Sequence, residues 1–153
     1  MEDAVRINEG DFLRLGIEVE RAYEETPSVR VEKHKVLQIM VNLLRNALHA
    51  VEASGRADKL LTLSIKQNGR GYVEVVVKDN GIGIEQTSLT RIFAHGFTTK
   101  TGGHGFGLHS GALAAKEMGG SLQARSDGPG TGATLTLELP IAKPRPQTNG
   151  KAL

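Results

Sequence analysis

Three stretches of this chain hold residue types at spacings that could do chemistry. The first is Asp79-Asn80-Gly81-Ile82-Gly83-Ile84. Asp-Asn-Gly makes a good hairpin turn, but a hairpin needs a matching strand afterwards. The continuation, Glu85-Gln86-Thr87-Ser88-Leu89, does not alternate. A carboxylate ending a buried strand, followed by two glycines, suits a different task. It only accepts hydrogen bonds, so it matches the exocyclic amine of adenine and opposes the carbonyl oxygen that guanine carries there. Gly81 and Gly83 would let the backbone lie against a flat ring.

The second stretch is Gly103-His104-Gly105-Phe106-Gly107-Leu108, opening an apolar-periodic segment. A dinucleotide fingerprint should directly follow a strand, and this one follows a Thr-rich loop. What the two share is anion binding: unpaired N–H groups and the helix dipole favour a phosphate. Thr98, Thr99 and Lys100 just before it add two hydroxyls and a cation. An ordinary surface loop is the competing reading. The third is Asn42 and Asn46, one helical turn apart. A solvated helix face is the bland account, yet Asn is a mediocre helix former. Its carboxamide oxygen is a hard donor suited to Mg²⁺, which keeps waters and binds few protein groups plus phosphates.

The elements that must position these residues follow from periodicity. Residues 34–54 are the strongest helix: at about 100° per residue, Leu37, Met40, Val41, Leu43, Leu44, Ala47, Leu48 and Val51 share one broad face. Lys35, Gln38, Asn42, Asn46 and His49 form a narrow stripe opposite, and Gly55 supplies a stop. Residues 60–67 and 72–78 read as strands joined by the turn Asn68-Gly69-Arg70-Gly71. A strand is expected from Gly16, a second short one at Val29-Arg30-Val31, a short helix over 85–93 and another helix over 106–118. A closing hairpin spans 121–126 and 133–139, while residues 1–15 are weakly patterned. The order predicts a two-layer α/β sandwich with a mixed, mostly antiparallel sheet.

Composition narrows the class. At 153 residues one domain is expected. The 19 Lys+Arg against 17 Asp+Glu are too balanced for a nucleic-acid surface, and four Phe with two Tyr give no stacking platform. The absence of Cys excludes disulfides and Cys-based zinc sites. No apolar run approaches the ~18 residues of a membrane span, and no secretory leader opens the chain, so a cytoplasmic protein is expected. Of the 19 glycines, 13 fall between positions 81 and 132, where they interleave with well-patterned segments and so point to tight turns and close approach.

Taken in order, these motifs resemble those of the catalytic ATP-binding domain of sensor histidine kinases. Asn42-Leu43-Leu44-Arg45-Asn46-Ala47 resembles the N box, and Asp79-Asn80-Gly81-Ile82-Gly83 the first glycine box. Ile92-Phe93 through Phe97-Thr98-Thr99-Lys100 resembles the F box, in a form similar to nitrogen-sensor-type and related sensory-box kinases. Gly103 to Leu108 resembles the second glycine box, and Gly130-Thr131-Gly132-Ala133-Thr134 the closing one. The resemblance covers residues 16–140, about four-fifths of the chain. It implies the fold shared by histidine kinases, type II topoisomerases, Hsp90 and mismatch-repair ATPases. It also implies roles: Asp79 holds adenine, Asn46 ligates Mg²⁺, and Asn42 supports metal or phosphates. Gly103, Gly105 and Gly107 cradle the phosphates beneath a lid over 95–103, and Lys100 meets them. Thr134 lies near the adenine. Gly81, Gly83, Ile84, Thr98, Thr99, His104, Phe106 and Leu108 complete the nucleotide-binding set, with Asn46 and Lys100 as the catalytic pair. Gly96 stands where the subgroup commonly has a second Phe, and Phe106 where Leu is commoner.

The resemblance leaves two reactions. Relatives that hydrolyse ATP carry a Glu one turn before the Mg²⁺-binding Asn; here that position is Asn42, which takes no proton at neutral pH. That favours holding ATP for an imidazole nucleophile over an ATPase or ATP-gated clamp. None of His34, His49, His95, His104 and His109 has the flanking pattern of a phosphoacceptor. The expected partners are therefore a histidine-bearing dimerisation hairpin, indirectly a response regulator, and a second copy in a full-length homodimer. Residues 1–15 would be the segment connecting to that hairpin, and 141–153 a disordered tail.

Overall fold

The computed structural model describes residues 1–94, 96 and 107–143. Five strands form one sheet in the order β1-β2-β3-β5-β4. They are β1 Glu18–Tyr23, β2 Leu60–Gln67, β3 Tyr72–Asp79, β4 Ser121–Arg125 and β5 Ala133–Pro140. β1 runs parallel to β2 and every other pair is antiparallel. The helices are α1 Glu2–Leu15, α2 Lys33–Ala53, α3 Gln86–Leu89 and α4 Gly107–Glu117.

Alternation along the strands decides which face the helices cover. Leu61 and Leu63, Val73, Val75 and Val77, and Leu135, Leu137 and Leu139 are buried on one face. Against them α2 packs Ile39, Met40, Leu43, Leu44, Ala47, Leu48 and Val51. Each such fully buried aliphatic side chain is worth about 1.5–3 kcal/mol relative to an exposed one, so this helix is the main contributor to the core. The opposite face carries Thr62, Ser64, Val76, Thr134 and Thr136, all half-buried. This is the expected two-layer sandwich with a mixed, mostly antiparallel sheet.

Four local expectations need correction. The weakly patterned residues 1–15 fold into a helix, α1, which buries Ala4, Val5, Asn8 and Phe12. Its stripe escapes a hydrophobicity count because Asn8 occupies one position, donating to the Ala4 carbonyl at 2.9 Å, while the large Ile7 and Leu13 are 56% and 77% exposed. Gly16 ends the helix with φ +65°, its N–H bonded to Leu13 O and the next N–H, of Ile17, to Phe12 O, which is a Schellman stop. The first turn is tied to β1, where the Glu2 carboxylate accepts from the Tyr23 hydroxyl at 2.6 Å and from Arg21 Nε at 2.9 Å. Those bonds, Tyr23 first, hold the Glu2 carboxyl below its ordinary range.

The strand expected at Val29-Arg30-Val31 shrinks to a single bridge, Val29 to Ile141, because Pro27 breaks the chain just before it. The same bridge corrects the start of the tail, since Ala142 N–H also donates to Ser28 O at 2.9 Å. The helix expected over 85–93 holds only across Gln86–Leu89 and continues as turns to Phe93.

If α1 belongs to the domain, Phe12→Ala should lower unfolding stability by about 3 kcal/mol, measured by urea denaturation. A change below about 0.5 kcal/mol, typical of surface positions, would return 1–15 to the status of a connecting segment.

Candidate functional site

The site begins where β3 ends. Asp79 closes that strand on its buried face, opposite Leu61 of β2 and Ala133 of β5, and is only 6% exposed. Its Oδ1 accepts the Gly81 N–H at 2.8 Å. Burial pushes the carboxyl above the usual carboxylate range, against the opposing pull of the Gly81 and Ala133 N–H groups. The next residue does a different job. Asn80 Oδ1 accepts the Leu60 N–H at 2.9 Å and its Nδ2 donates to Asp58 O, so Asp-Asn-Gly anchors the start of β2 and is not a hairpin turn.

The glycines that follow are required by the protein itself. A Cβ on Gly81 would overlap the Ala50 carbonyl of α2, and one on Gly83 would overlap the Gly128 carbonyl. Backbone-to-backbone packing by itself therefore requires glycine at both positions. Hydrogen bonds complete the joint: Ile82 N–H to Ala50 O at 3.1 Å, Gly130 N–H to Ile82 O at 2.6 Å, and Gly132 N–H to Gly81 O at 3.1 Å. Ser126 fastens the two loops further. Its Oγ accepts the Ile84 N–H at 2.9 Å and donates to Gly132 O at 2.7 Å. Sequence reasoning missed Ser126; a Ser two residues before a glycine, able to bond that N–H in a local turn, was the available signal.

α2 links this corner to the start of α4. Ala50, which receives Ile82, lies one turn beyond Asn46, and Asn46 lies one turn beyond Asn42. The Asn42 side chain in turn packs against Gly107, where an added Cβ would sit 3.4 Å from its Cγ. The half-buried Asn42 and Asn46 therefore lie on a stripe running from the first residue of α4 to the loop beside Asp79. At 1.5 Å per residue that stripe is about 12 Å long. Gly107 and Leu108 are the first two residues of α4, where helical N–H groups lack helical partners.

One expected residue is out of step. Thr134 pairs with Lys78 and not with Asp79, so it lies on the half-open face of the sheet. Ala133 is the residue beside Asp79, because a single step along a strand reverses the face. Thr98, Thr99, Lys100, Gly103, His104, Gly105 and Phe106 lie outside the described residues, as does all of the lid expected over 95–103 except Gly96. Among the described residues no cluster of His, Cys, Asp or Glu could hold a metal. A carboxamide oxygen from Asn46 remains a fitting donor for Mg²⁺, an ion that takes much of its shell from water and phosphate oxygens.

Raising a carboxyl pKa on folding means the fold favours its neutral form. That stability is complete below the unfolded carboxylate pKa and is lost as pH rises through the higher folded value. Asp79→Asn should thus melt no lower than the parent at pH 7, with any advantage vanishing at about pH 4 and below. A variant that is less stable at pH 7 and recovers in acid would reverse the sign assigned to Asp79.

Known proteins resemble this chain in sequence and in fold. The family model described as "Histidine kinase-, DNA gyrase B-, and HSP90-like ATPase" matches residues 31–143. The sensor histidine kinase ZraS of Klebsiella oxytoca is 34% identical over 113 residues, 74% of this chain and 23% of its own length. The two-component sensor PprA of Pseudomonas aeruginosa is 39% identical over 141 residues, 88% of this chain and 15% of its own. The chain thus spans about a quarter or less of the curated relatives it matches. In fold it is similar to the catalytic domain of histidine kinase ThkA, with a TM-score of 0.78 at 23% identity, covering 93% of this chain and 92% of that one. Full-length ShkA in complex with AMPPNP gives 0.79 at 24% identity, over 94% and 30%. A family match that runs through most of the chain, on the fold these structures share, means that the chain belongs to the histidine kinase-, DNA gyrase B- and HSP90-like ATPase family.

Proposed function

We propose that this domain binds Mg²⁺·ATP and holds it for phosphoryl transfer to a histidine on a dimerisation hairpin, in two-component signalling. The observation that carries the reading is the buried Asp79 carboxylate at one end of the Asn42–Asn46 stripe, with the start of α4 at the other. Asp79 accepts a hydrogen bond from the adenine amine. Asn46 offers its carboxamide oxygen to the metal, and Asn42 supports metal or phosphates from the next turn. The N–H groups of Gly107 and Leu108 receive phosphate oxygens at the positive end of α4. Lys100, with Thr98, Thr99, Gly103 and Gly105, is assigned to the phosphates by its motif. When bound, Mg²⁺ neutralises charge developing on the transferred group.

No step in this arrangement activates water. The position one turn before Asn46 is Asn42, whose amide takes no proton at neutral pH. General-base assistance is worth about 10²–10⁴-fold, so hydrolysis stays slow while an imidazole, already nucleophilic, needs only positioning. The relatives are named sensor kinases, which favours transfer over an ATP-gated clamp. In the whole protein the hairpin would dimerise, and a response regulator would take the phosphoryl group onward. Among the described residues no helix is long and apolar enough to cross a membrane, and we place the domain in the cytoplasm.

Calorimetry should show Mg²⁺-dependent ATP binding at least about tenfold tighter than GTP, since a wrongly paired buried polar group costs about 1–3 kcal/mol. Comparable affinities would remove Asp79 from the adenine role. With γ-labelled ATP, acid-labile label should appear on a supplied hairpin domain and not on this chain, and Asn46→Ala should abolish it. Self-labelling, or rapid phosphate release without the hairpin, would contradict the transfer reading.

A further inference from the structure

One polar contact beside the phosphate end has no part in the mechanism above. His109 lies in the first turn of α4, and its Nδ1 is 3.0 Å from the main-chain oxygen of Phe93, 16 residues earlier. Phe93 ends the run of turns that follows α3, so the contact joins two separate elements. A carbonyl oxygen only accepts. The contact is therefore a hydrogen bond only when the His109 proton is on Nδ1, and this selects one tautomer of the neutral ring.

The rest of α4 is held by packing. Gly111 lies against Leu122 and Ile39, and Ala115 is fully buried. The first turn has smaller anchors: Gly107 beside the Asn42 side chain, and Leu108 partly buried against the core. That turn also carries the N–H groups that lack helical partners and the positive end of the helix dipole. Its orientation sets where those groups point.

We propose that His109 is a positioning residue: through Nδ1–H to the Phe93 carbonyl it fixes the first turn of α4 and so tunes affinity for the triphosphate. The inference rests on the reading of that turn as the phosphate end. It does not involve the adenine corner, where the Gly81 and Ala133 N–H groups hold Asp79 and the Ile82–Ala50 and Gly132–Gly81 bonds tie the loops. The contribution is thus specific to phosphate-bearing ligands.

The test uses this chain with His109→Asn, which keeps an N–H donor near the Nδ1 position, and His109→Leu, which keeps volume without a donor. Calorimetric titrations with Mg²⁺·ATP and with adenosine are compared, and ¹⁵N NMR of the parent imidazole is read at about pH 8.5, where an ordinary histidine is neutral. The expected results are a protonated Nδ1, ATP affinity of the Asn variant within about twofold of the parent, and a loss of about five- to tenfold in the Leu variant, the worth of one hydrogen bond. Adenosine affinity should stay unchanged in both. An Nε2–H tautomer, unaltered ATP affinity in the Leu variant, an Asn variant as weak as the Leu one, or equal losses for adenosine and ATP would each overturn the proposal. Asp79→Asn in the same titrations reports on the nucleotide reading separately. Loss of adenosine binding upholds Asp79 in the adenine role, and retained adenosine binding removes it from that role without touching the His109 result.

Discussion

A carboxylate withdrawn from water at the end of β3 is the constraint around which this corner of the molecule is arranged. Leaving Asp79 buried and unpaired would be costly. The structure offsets part of that cost with the N–H groups of Gly81 and Ala133, while burial still dominates. The loops that close over it are joined main chain to main chain, from Ile82 to Ala50, Gly130 to Ile82 and Gly132 to Gly81. Such joints admit no side chain, which is why glycine stands at 81 and 83. A group fixed in this way is already desolvated and oriented before any ligand arrives, which is what makes a single hydrogen bond discriminating.

The second organising feature is α2. Its apolar face supplies much of the core, with Leu44 and Val51 fully buried, and its polar stripe spaces the site. Because Asn42 touches Gly107 and Ala50 receives Ile82, the separation between the start of α4 and the Asp79 loop is set by two turns of rigid helix. Asn46 sits between them by geometry. The helix that stabilises the domain therefore also acts as its ruler, and core substitutions in α2 would disturb ligand geometry along with stability.

Much of this was legible in the sequence because the relevant signals are local. The period of α2, the alternation of β2 and β3, and the ordered glycine motifs predict the elements, the mixed sheet and the family resemblance. What was not legible depends on which atoms meet across the fold. α1 hid because Asn8 occupies its buried stripe through a bond to its own helix. The motif resemblance puts Thr134 near the adenine, whereas strand register sets Ala133, and not Thr134, beside Asp79. Gly81 and Gly83 signal in sequence only that something approaches closely, and the fold adds that the Ala50 and Gly128 carbonyls do. Ser126 and His109 carry weak local signals and gain meaning from partners 42 and 16 residues away.

The central claim is that the Asp79 carboxylate selects adenine by its amine. The most direct measurement is the affinity of inosine triphosphate relative to ATP, which differ at that ring position, for the parent and for Asp79→Asn. The account predicts a strong preference for ATP in the parent, about tenfold or more, and near-equal, weak affinities in the variant, whose amide can both donate and accept. The same preference for ATP in both proteins would contradict it and place recognition of the base elsewhere.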